Sequence, residues 1–461
     1  MKPGNAGGAK GCREMETRVS EPDGRGPEAV PARATRAGER NDRWSYVEPM
    51  VWTPRMLAAL EQGVKGGKWY SLMDKVHPED TLRAAFDKVA ANKGAAGVDH
   101  VTIEEYAGDL DANLRRLSEG LRNGSYRPQA IRRHYIPKPG SQDKRPLGIP
   151  TVRDRVVQTA LKMVLEPIFE RDFAAQSYGF RPNRGCKDAL RRVDELLKAG
   201  YCHIVDADLK SYFDSIPKDR LLSLVKQKVT DGRILALIGD FLEQSVLDGV
   251  QEWTPEEGTP QGAVVSPLLS NIYLDPLDHL MVVRGFEMVR YADDFVVLCR
   301  SRQEAEAALG EVQRWTASAG LTLHPTKTRL VDVREDGFEF LGYRFAAGTR
   351  RPRAKSLKKF RDTIRAKTRR TSGDSLEQII KDTNRTLKGW FEYFKHSHPR
   401  TFAMVDGWVR RRLRSILRKR HGSKGTAPGF ANIRWPNAYF AKQGLFSLQA
   451  AHAQVCQSSR R

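Results

Sequence analysis

The sequence has no apolar run near the roughly 18 residues that a membrane span requires, although the chain is 461 residues long. Its N-terminus lacks the charged-then-apolar pattern of a signal peptide. The five cysteines, Cys12, Cys186, Cys202, Cys299 and Cys456, form no C-x-x-C pair, which argues against a disulfide framework or a structural zinc site. These absences predict a soluble protein without membrane contact that is kept in a reducing cytoplasm.

Positive charge is abundant and unevenly distributed. The net charge is +22, with 78 Lys and Arg against 56 Asp and Glu. Between residues 351 and 424 there are 23 Lys and Arg against 6 Asp and Glu. A local excess of this kind indicates a nucleic-acid partner, because a merely soluble basic protein would spread its charge.

The organisation along the chain predicts a mixed α+β region followed by an all-helical one. Residues 1–45 are rich in Gly, Pro, Ala, Arg and Glu, which predicts a disordered tail. Residues 132–136 and 145–149 predict two strands of a hairpin, and residues 321–323 predict a strand that resumes a later sheet. From about residue 355 to 420 the apolar spacing is helical throughout.

Two adjacent carboxylates, Asp293 and Asp294, stand between the apolar segments 286–290 and 295–299, and Asp208 ends the predicted strand 203–209. If these strands are neighbours, the carboxylates converge, and their repulsion calls for a cation. Asp is a hard oxygen ligand suited to Mg²⁺, and three such groups can hold two ions for in-line attack on a phosphate. An exposed turn is the simpler interpretation of the Asp pair taken alone.

Six blocks in the same order resemble group II intron reverse transcriptases, and the similarity extends from about residue 68 to 450. The blocks are Arg145-Pro-Leu-Gly-Ile-Pro150, Ser177-Tyr-Gly-Phe-Arg-Pro-Asn-Arg184, Asp208-Leu-Lys-Ser-Tyr-Phe-Asp214, Gly258-Thr-Pro-Gln-Gly262 with Ser266-Pro-Leu-Leu269, Tyr291-Ala-Asp-Asp294 and Phe340-Leu-Gly-Tyr343. The resemblance implies an α+β right-hand polymerase, in which fingers and a palm with an antiparallel sheet precede an all-α thumb or maturase domain. It places an N-terminal extension and the fingers at 46–200, the palm at 201–345, the thumb or maturase domain at 346–430 and a C-terminal extension at 431–461.

The resemblance also assigns the metal ligands. Asp208 and Asp293 resemble the ligands of two Mg²⁺ ions, for which Mn²⁺ can substitute. Asp294 is the neighbouring carboxylate with a weaker coordinating role, and the carbonyl of Leu209 is a further ligand.

Nucleotide-binding roles follow from the same blocks. Lys138 and Arg145 resemble the triphosphate-binding cations of the fingers, with two solvated basic residues as the alternative. Phe213 resembles the aromatic residue that excludes a ribose 2′-hydroxyl, and an ordinary core Phe is the alternative. Gln261 is expected to contact the incoming nucleotide, and Lys327 is either a proton donor to pyrophosphate or a surface Lys.

The C-terminal helices resemble the thumb and maturase region of the family. Their aromatic residues predict a core and their cations predict contact with RNA phosphates, with a solvated face as the alternative. The cations expected to bind RNA are Lys358, Lys359, Arg365, Arg369, Arg410, Arg411, Arg414 and Arg418. The DNA-cutting domain of many relatives, with its paired cysteines and histidines, has no counterpart here, so we expect a member of the family without endonuclease activity.

The sequence therefore predicts an RNA-directed DNA polymerase that copies intron RNA for retrohoming and assists intron splicing as a maturase. Its partners would be an RNA template, a DNA primer or target, and deoxynucleoside triphosphates. Two alternatives stay open: an RNA-binding splicing cofactor alone, and a domesticated reverse transcriptase of defence or repair.

Overall fold

The computed structural model describes residues 43–137, 144–422 and 428–458. The predicted tail therefore lies outside the described residues except for its last three. Residues 138–143, between the two predicted strands of the hairpin, are also outside them.

The N-terminal region of the main unit is helical, as its apolar spacing predicts. Thr102 begins one helix with a reciprocal capping box, in which its hydroxyl accepts from the Glu105 amide at 3.1 Å and the Glu105 carboxylate accepts from the Thr102 amide at 2.8 Å. The helices are α1 (Pro54–Gln62), α2 (Met73–Val76), α3 (Glu79–Asn92), α4 (Ile103–Gly108), α5 (Leu110–Asn123) and α6 (Val152–Glu170). Helix α6 is buried along most of its length and packs against α3, so it anchors this region.

The predicted hairpin is present but does not stand alone. Strands β1 (Ile131–Pro137) and β2 (Lys144–Ile149) pair antiparallel, and β1 also pairs in parallel with β4 (Val246–Asp248). Strand β5 (Gln251–Trp253) completes a four-stranded sheet in the order β2-β1-β4-β5. Two strands of this sheet thus come from the range that the sequence assigned to the palm, which the sequence analysis did not foresee.

A second sheet, antiparallel throughout, occupies the centre of the chain. Its order is β6-β7-β3-β8. The strands are β3 (His203–Asp208), β6 (Glu287–Tyr291), β7 (Asp294–Cys299) and β8 (Arg329–Asp332). The expected strand 321–323 is wrong: among these residues only Leu323 pairs, as an isolated bridge with Leu209, and β8 forms the sheet edge instead.

Helices flank this sheet and bury its apolar side chains. The helices that contact its strands are α7 (Cys186–Lys198), α10 (Ser266–Val283) and α11 (Arg302–Ser318), whereas α8 (Lys218–Lys226) packs against α10 and α9 (Gly232–Leu242) packs against α8. Ile204, Val289, Val296 and Leu298 from three strands share one core with α7 and with the small sheet that follows. That sheet consists of β9 (Phe338–Phe340), β10 (Tyr343–Ala346) and β11 (Thr349–Pro352).

The remainder of the chain is helical, as predicted. Its helices are α12 (Ala354–Lys367), α13 (Leu376–Phe394), α14 (Arg400–Arg420), α15 (Pro428–Arg434), α16 (Asn437–Lys442) and α17 (Leu448–Ser458). Their apolar faces form a second core, in which Trp435, Phe440 and Leu448 of the C-terminal segment pack with Phe402 and Leu413. The α+β class with a following all-α region is confirmed. Within the described ranges, none of the helices combines the length and the apolar character that crossing a membrane would require.

Candidate active site

Of the three carboxylates predicted to act together, two lie on adjacent strands of the central sheet and the third lies in the turn that leads into one of them. Asp208 is the last residue of β3 and stands opposite Asp294, the first residue of β7. Asp293 lies in the tight turn between β6 and β7. Directly opposed residues of an antiparallel pair have their side chains on the same face. The strand pairing therefore brings together the Asp residues that are far apart in sequence.

The electrostatics of this group reflect crowded negative charge. Burial raises the pKa of Asp293, and the charge of Asp208 raises it further, against the opposing effects of Arg145 and Arg290. Asp294 is an exposed residue as a whole, yet its carboxyl group is partly dehydrated. This dehydration and the nearby negative charges raise its pKa to about 7. Such a group binds a cation or a proton more readily than an isolated Asp does.

Lys327 reaches into the carboxylate group. Its Nζ donates to Oδ2 of Asp208 at 2.6 Å. The loop before it is fixed by backbone hydrogen bonds, since the His324 amide donates to the Asp208 carbonyl at 2.7 Å and the Lys210 amide donates to the Thr322 carbonyl at 2.8 Å. The Lys327 side chain is 60% exposed, so it is a surface residue in contact with the site, and its role as a proton donor stays a prediction.

The turn that carries Asp293 is supported by a buried ion pair that the sequence analysis missed. The fully buried Arg290 donates through Nε to Asp278 Oδ1 at 2.8 Å, and through Nη1 to the Ala292 carbonyl and to Asn271 Oδ1, both at 2.9 Å. Ala292 has a φ of 59°, in the left-handed region, so the turn needs external support. One signal was available: Arg290 interrupts an apolar strand, and Asp278 interrupts an apolar helix.

The hairpin of β1 and β2 lies near these carboxylates. Arg145 is exposed on β2, and its charge acts on Asp293. The Gly148 amide donates to the Gln261 carbonyl at 2.6 Å, so the hairpin and the Pro-Gln-Gly segment touch through their backbones. A Cβ at Gly262 would lie 2.3 Å from the Gly148 carbonyl oxygen, which explains the glycine. Lys138 lies outside the described residues.

Phe213 lies in a short 3₁₀ turn, Tyr212–Asp214, shortly after β3. Its side chain is half-buried, and its ring stands edge-on to those of Tyr212 and Phe180, at centroid distances of 5.5 Å and 6.4 Å. The Phe213 carbonyl accepts from the Thr259 amide at 2.7 Å, which ties the turn to the segment before Gln261. Phe213 is thus not an interior core residue.

The donor chemistry of the site can be compared with the expected metal. Among the described residues, no three His, Cys, Asp or Glu side chains stand together as a formed metal site. Asp208, Asp293 and Asp294 offer only carboxylate oxygens, which suit Mg²⁺, and their mutual repulsion favours a bound cation. Leu209 is buried beside them, and the role of its carbonyl stays a prediction. By donor type and charge, the residues fit magnesium.

The basic residues expected to bind RNA differ in their exposure. Lys358, Lys359 and Arg365 on α12, Arg369 just after this helix and Arg411 on α14 are exposed. Arg410 and Arg418 are half-exposed.

Arg414 is buried, unlike the other cations expected to bind RNA, and its role in binding RNA stays a prediction. It donates through Nε to the Trp435 carbonyl and through Nη2 to Asn437 Oδ1, both at 2.8 Å, and its guanidinium lies over the Phe440 ring. The C-terminal segment covers this part of α14, and the positive charge of Arg414 holds that segment in place.

A basic patch lies where α12 and α14 meet, and it adds Arg361 and Arg412, which the sequence analysis did not single out, to the predicted Arg365. Arg361 and Arg365 both place their guanidinium groups 5.9 Å from the Trp408 ring centroid. Arg412 donates to the Thr368 carbonyl at 2.7 Å and so joins the same two helices.

Comparisons with known proteins match both halves of the chain. Residues 136–345 match the family described as reverse transcriptase (RNA-dependent DNA polymerase), and residues 357–435 match the group II intron, maturase-specific domain. Protein YkfC of Escherichia coli (strain K12) is 35% identical over 342 residues, covering 65% of this chain and 85% of that protein. Group II intron-encoded protein LtrA of Lactococcus lactis subsp. cremoris is 37% identical over 205 residues, or 44% of this chain, and the match spans 34% of LtrA. Nuclear intron maturase 4, mitochondrial, of Arabidopsis thaliana is 30% identical over 231 residues, which cover 49% of this chain and 27% of that protein.

Proposed function

This chain belongs to the group II intron-encoded reverse transcriptases with a maturase domain, and we propose that it joins deoxynucleotides to a primer by a two-metal mechanism at Asp208, Asp293 and Asp294. The observation that carries this proposal is the register of the central sheet, which sets Asp208 opposite Asp294 and next to the turn of Asp293. Its substrates would be an RNA template, a DNA primer or target, and deoxynucleoside triphosphates.

In this proposal the three Asp carboxylates would bind the metal ions. Asp208 and Asp293 would be the principal ligands, with Asp294 in a weaker role and the Leu209 carbonyl as a further donor. When bound, two Mg²⁺ ions, or Mn²⁺ in their place, supply the charge that activates a primer 3′-hydroxyl and neutralises the triphosphate. Lys327, at 2.6 Å from Asp208, neutralises that carboxylate and is positioned to give a proton to departing pyrophosphate.

The fingers and the Pro-Gln-Gly segment would bind the nucleotide. Arg145, whose charge already acts on Asp293, would bind the triphosphate through its planar guanidinium, and Lys138 would act as a second cation. Gln261 is held against β2 through its backbone, which leaves its side chain to contact the nucleotide. Phe213 would occupy the space of a ribose 2′-hydroxyl, so that deoxynucleotides are favoured. Phe213→Ala should then lower the ratio of deoxynucleotide to ribonucleotide incorporation efficiency.

The proposed domain boundaries are those predicted from the sequence, with one change in the fingers. We assign residues 46–200 together with β4 and β5 to the N-terminal extension and fingers, because those strands complete the fingers sheet. The palm would be the rest of 201–345, the thumb or maturase domain 346–430, and the C-terminal extension 431–461.

Primer extension tests the proposal. Asp293→Ala should abolish RNA-templated extension of a DNA primer in Mg²⁺, because a principal ligand is lost. Asp374→Ala is a matched control, since it removes an exposed carboxylate on the segment between α12 and α13 and changes the net charge equally. Extension by the Asp293→Ala protein at the control's rate would refute the assignment.

A second function, assistance of intron splicing, is favoured by the match of residues 357–435 to the maturase-specific domain and by the exposed cations of α12. Phosphate contacts from these cations would stabilise folded intron RNA without reading its sequence. Splicing assays with the Asp293→Ala protein separate the two functions. Retained splicing with lost extension would show that they are independent, and no stimulation of splicing by either protein at any salt concentration would exclude the maturase role.

A further inference from the structure

An exposed aromatic ring stands beside the carboxylate group and has no role in the mechanism described so far. Phe180 is 43% exposed, although aromatic side chains usually bury most of their surface. Its ring meets that of Phe213 edge-on, with centroids 6.4 Å apart and planes inclined by 69°. This is a favoured arrangement for two aromatic rings, because the positive edge of one faces the negative face of the other.

The backbone of Phe180 is held in an unfavourable conformation. Its φ of 58° lies in the left-handed region, where a bulky residue is an outlier. Strained residues of this kind persist only where the surroundings enforce them, and they concentrate at functional sites.

The residue before Phe180 provides that enforcement. Gly179 packs so tightly on the Asp turn that a Cβ at this position would lie 2.1 Å from the Ala292 amide nitrogen. The Gly179 carbonyl accepts from the buried Asn271 Nδ2 at 2.8 Å. Asn271 Oδ1 in turn accepts from Arg290, which also donates to the Ala292 carbonyl. The position of Phe180 is therefore fixed relative to the turn that carries Asp293.

We propose that Phe180 is a specificity-determining residue of the nucleotide site: its ring limits the rotation of Phe213 and thereby keeps the space beside the sugar too small for a 2′-hydroxyl. This inference rests on the proposed function, in which Phe213 excludes ribonucleotides. A ribonucleotide can be accepted only if Phe213 turns away, and its edge contact with Phe180 opposes that rotation. Phe180 is thus a positioning residue that acts through Phe213.

The test is the ratio of deoxynucleotide to ribonucleotide incorporation efficiency in single-nucleotide primer extension on an RNA template. An aromatic contact of this geometry corresponds to a factor of roughly 2 to 12 in an equilibrium, so Phe180→Ala should lower the ratio by about that factor. Phe180→Tyr keeps the ring and should keep the ratio, and Phe180→Leu should give an intermediate value. Phe430→Ala is the matched control, because Phe430 is 70% exposed and lies on α15 of the C-terminal region.

The double variant Phe180→Ala/Phe213→Ala shows whether one ring acts through the other. Its ratio should equal that of Phe213→Ala alone, because Phe180 has no effect once the Phe213 ring is gone. An unchanged ratio in Phe180→Ala, or independent effects in the double variant, would overturn the inference. If Phe180→Ala does not fold, Phe180→Leu supplies the same comparison.

The experiments also distinguish failure of this inference from failure of the proposed function. If Phe213→Ala leaves the ratio unchanged, the sugar-excluding role of Phe213 is wrong, and the inference falls with it. If Phe213→Ala lowers the ratio and Phe180→Ala does not, only the inference fails. Full extension by Asp293→Ala would instead refute the proposed polymerase site.

Discussion

The buried ion pair beneath the Asp turn allows a quantitative prediction. Replacing Arg290 by Leu removes the donor to the Ala292 carbonyl and leaves Asp278, whose side chain is fully buried, without its cation. Breaking a buried pair by removing one partner costs about 3–5 kcal/mol, because an uncompensated charge stays in a medium of low polarity. We therefore expect Arg290→Leu to lower the free energy of unfolding by about that amount.

A paired substitution separates stability from positioning. In Arg290→Leu/Asp278→Leu both charges are gone, and an apolar replacement of a buried ion pair is often neutral for stability. The double variant should therefore regain most of the lost unfolding free energy. Its primer extension should stay low, because the Ala292 carbonyl still lacks its donor and the turn of Asp293 is no longer held.

Urea unfolding followed by tryptophan fluorescence measures the first quantity, and extension on an RNA template measures the second. Arg302→Leu is the control, because its ion pair with Glu306 lies on the surface and should contribute about 0–1 kcal/mol. If Arg290→Leu costs no more than this control, or if the double variant extends primers at the wild-type rate, the supporting role assigned to Arg290 is wrong.

Three further predictions concern the carboxylates, the glycine contact and the basic helices. Because the pKa of Asp294 is raised from 3.8 to about 7, its ionisation destabilises the metal-free protein progressively as the pH rises between these values. Asp294→Asn should therefore raise the thermal unfolding midpoint in EDTA more at about pH 8 than at about pH 4.5. An equal change in the midpoint at both pH values would contradict the raised pKa of Asp294. Gly262→Ala should weaken nucleotide binding, measured as a higher KM, because its Cβ would meet the Gly148 carbonyl oxygen at 2.3 Å; an unchanged KM would count against this contact. Arg411→Ala should reduce the salt dependence of RNA binding in filter assays by about one phosphate contact. Arg414→Ala should instead mainly lower the thermal unfolding midpoint. The reverse pattern would refute the distinction between an exposed Arg411 that binds RNA and a buried Arg414 that stabilises the fold.

The features that follow from local pattern could be predicted from the sequence. The α+β class, the hairpin, the helical C-terminal region, the strand that ends at Asp208 and the two strands on either side of Asp293 depend on apolar periodicity and on short motifs. Each of these signals lies within a single helix, strand or turn, so it can be recognised from the sequence without knowing which segments meet in the fold.

Features that depend on contacts between distant segments were missed. Strand β4 has only three residues, Val246–Asp248, and becomes a strand by pairing with β1. Arg414 belongs to a dense run of cations, and only the packing of Trp435 and Phe440 against α14 distinguishes it from its exposed neighbours. The pairing of Arg290 with Asp278 likewise appears only when a strand and a helix meet.

The parallel pairing of β1 with β4 has a consequence for folding during synthesis. Ile131 pairs with Val246, so β1 and β2 leave the ribosome well before the strands that complete their sheet. At about 5–20 residues per second, the roughly 100 intervening residues take about 5–20 s to be made. A two-stranded hairpin is at best marginally stable in water, and its open edge can pair with other chains in that interval. The nascent β1–β2 hairpin is thus a stretch of this protein that would benefit from protection by a chaperone during this interval.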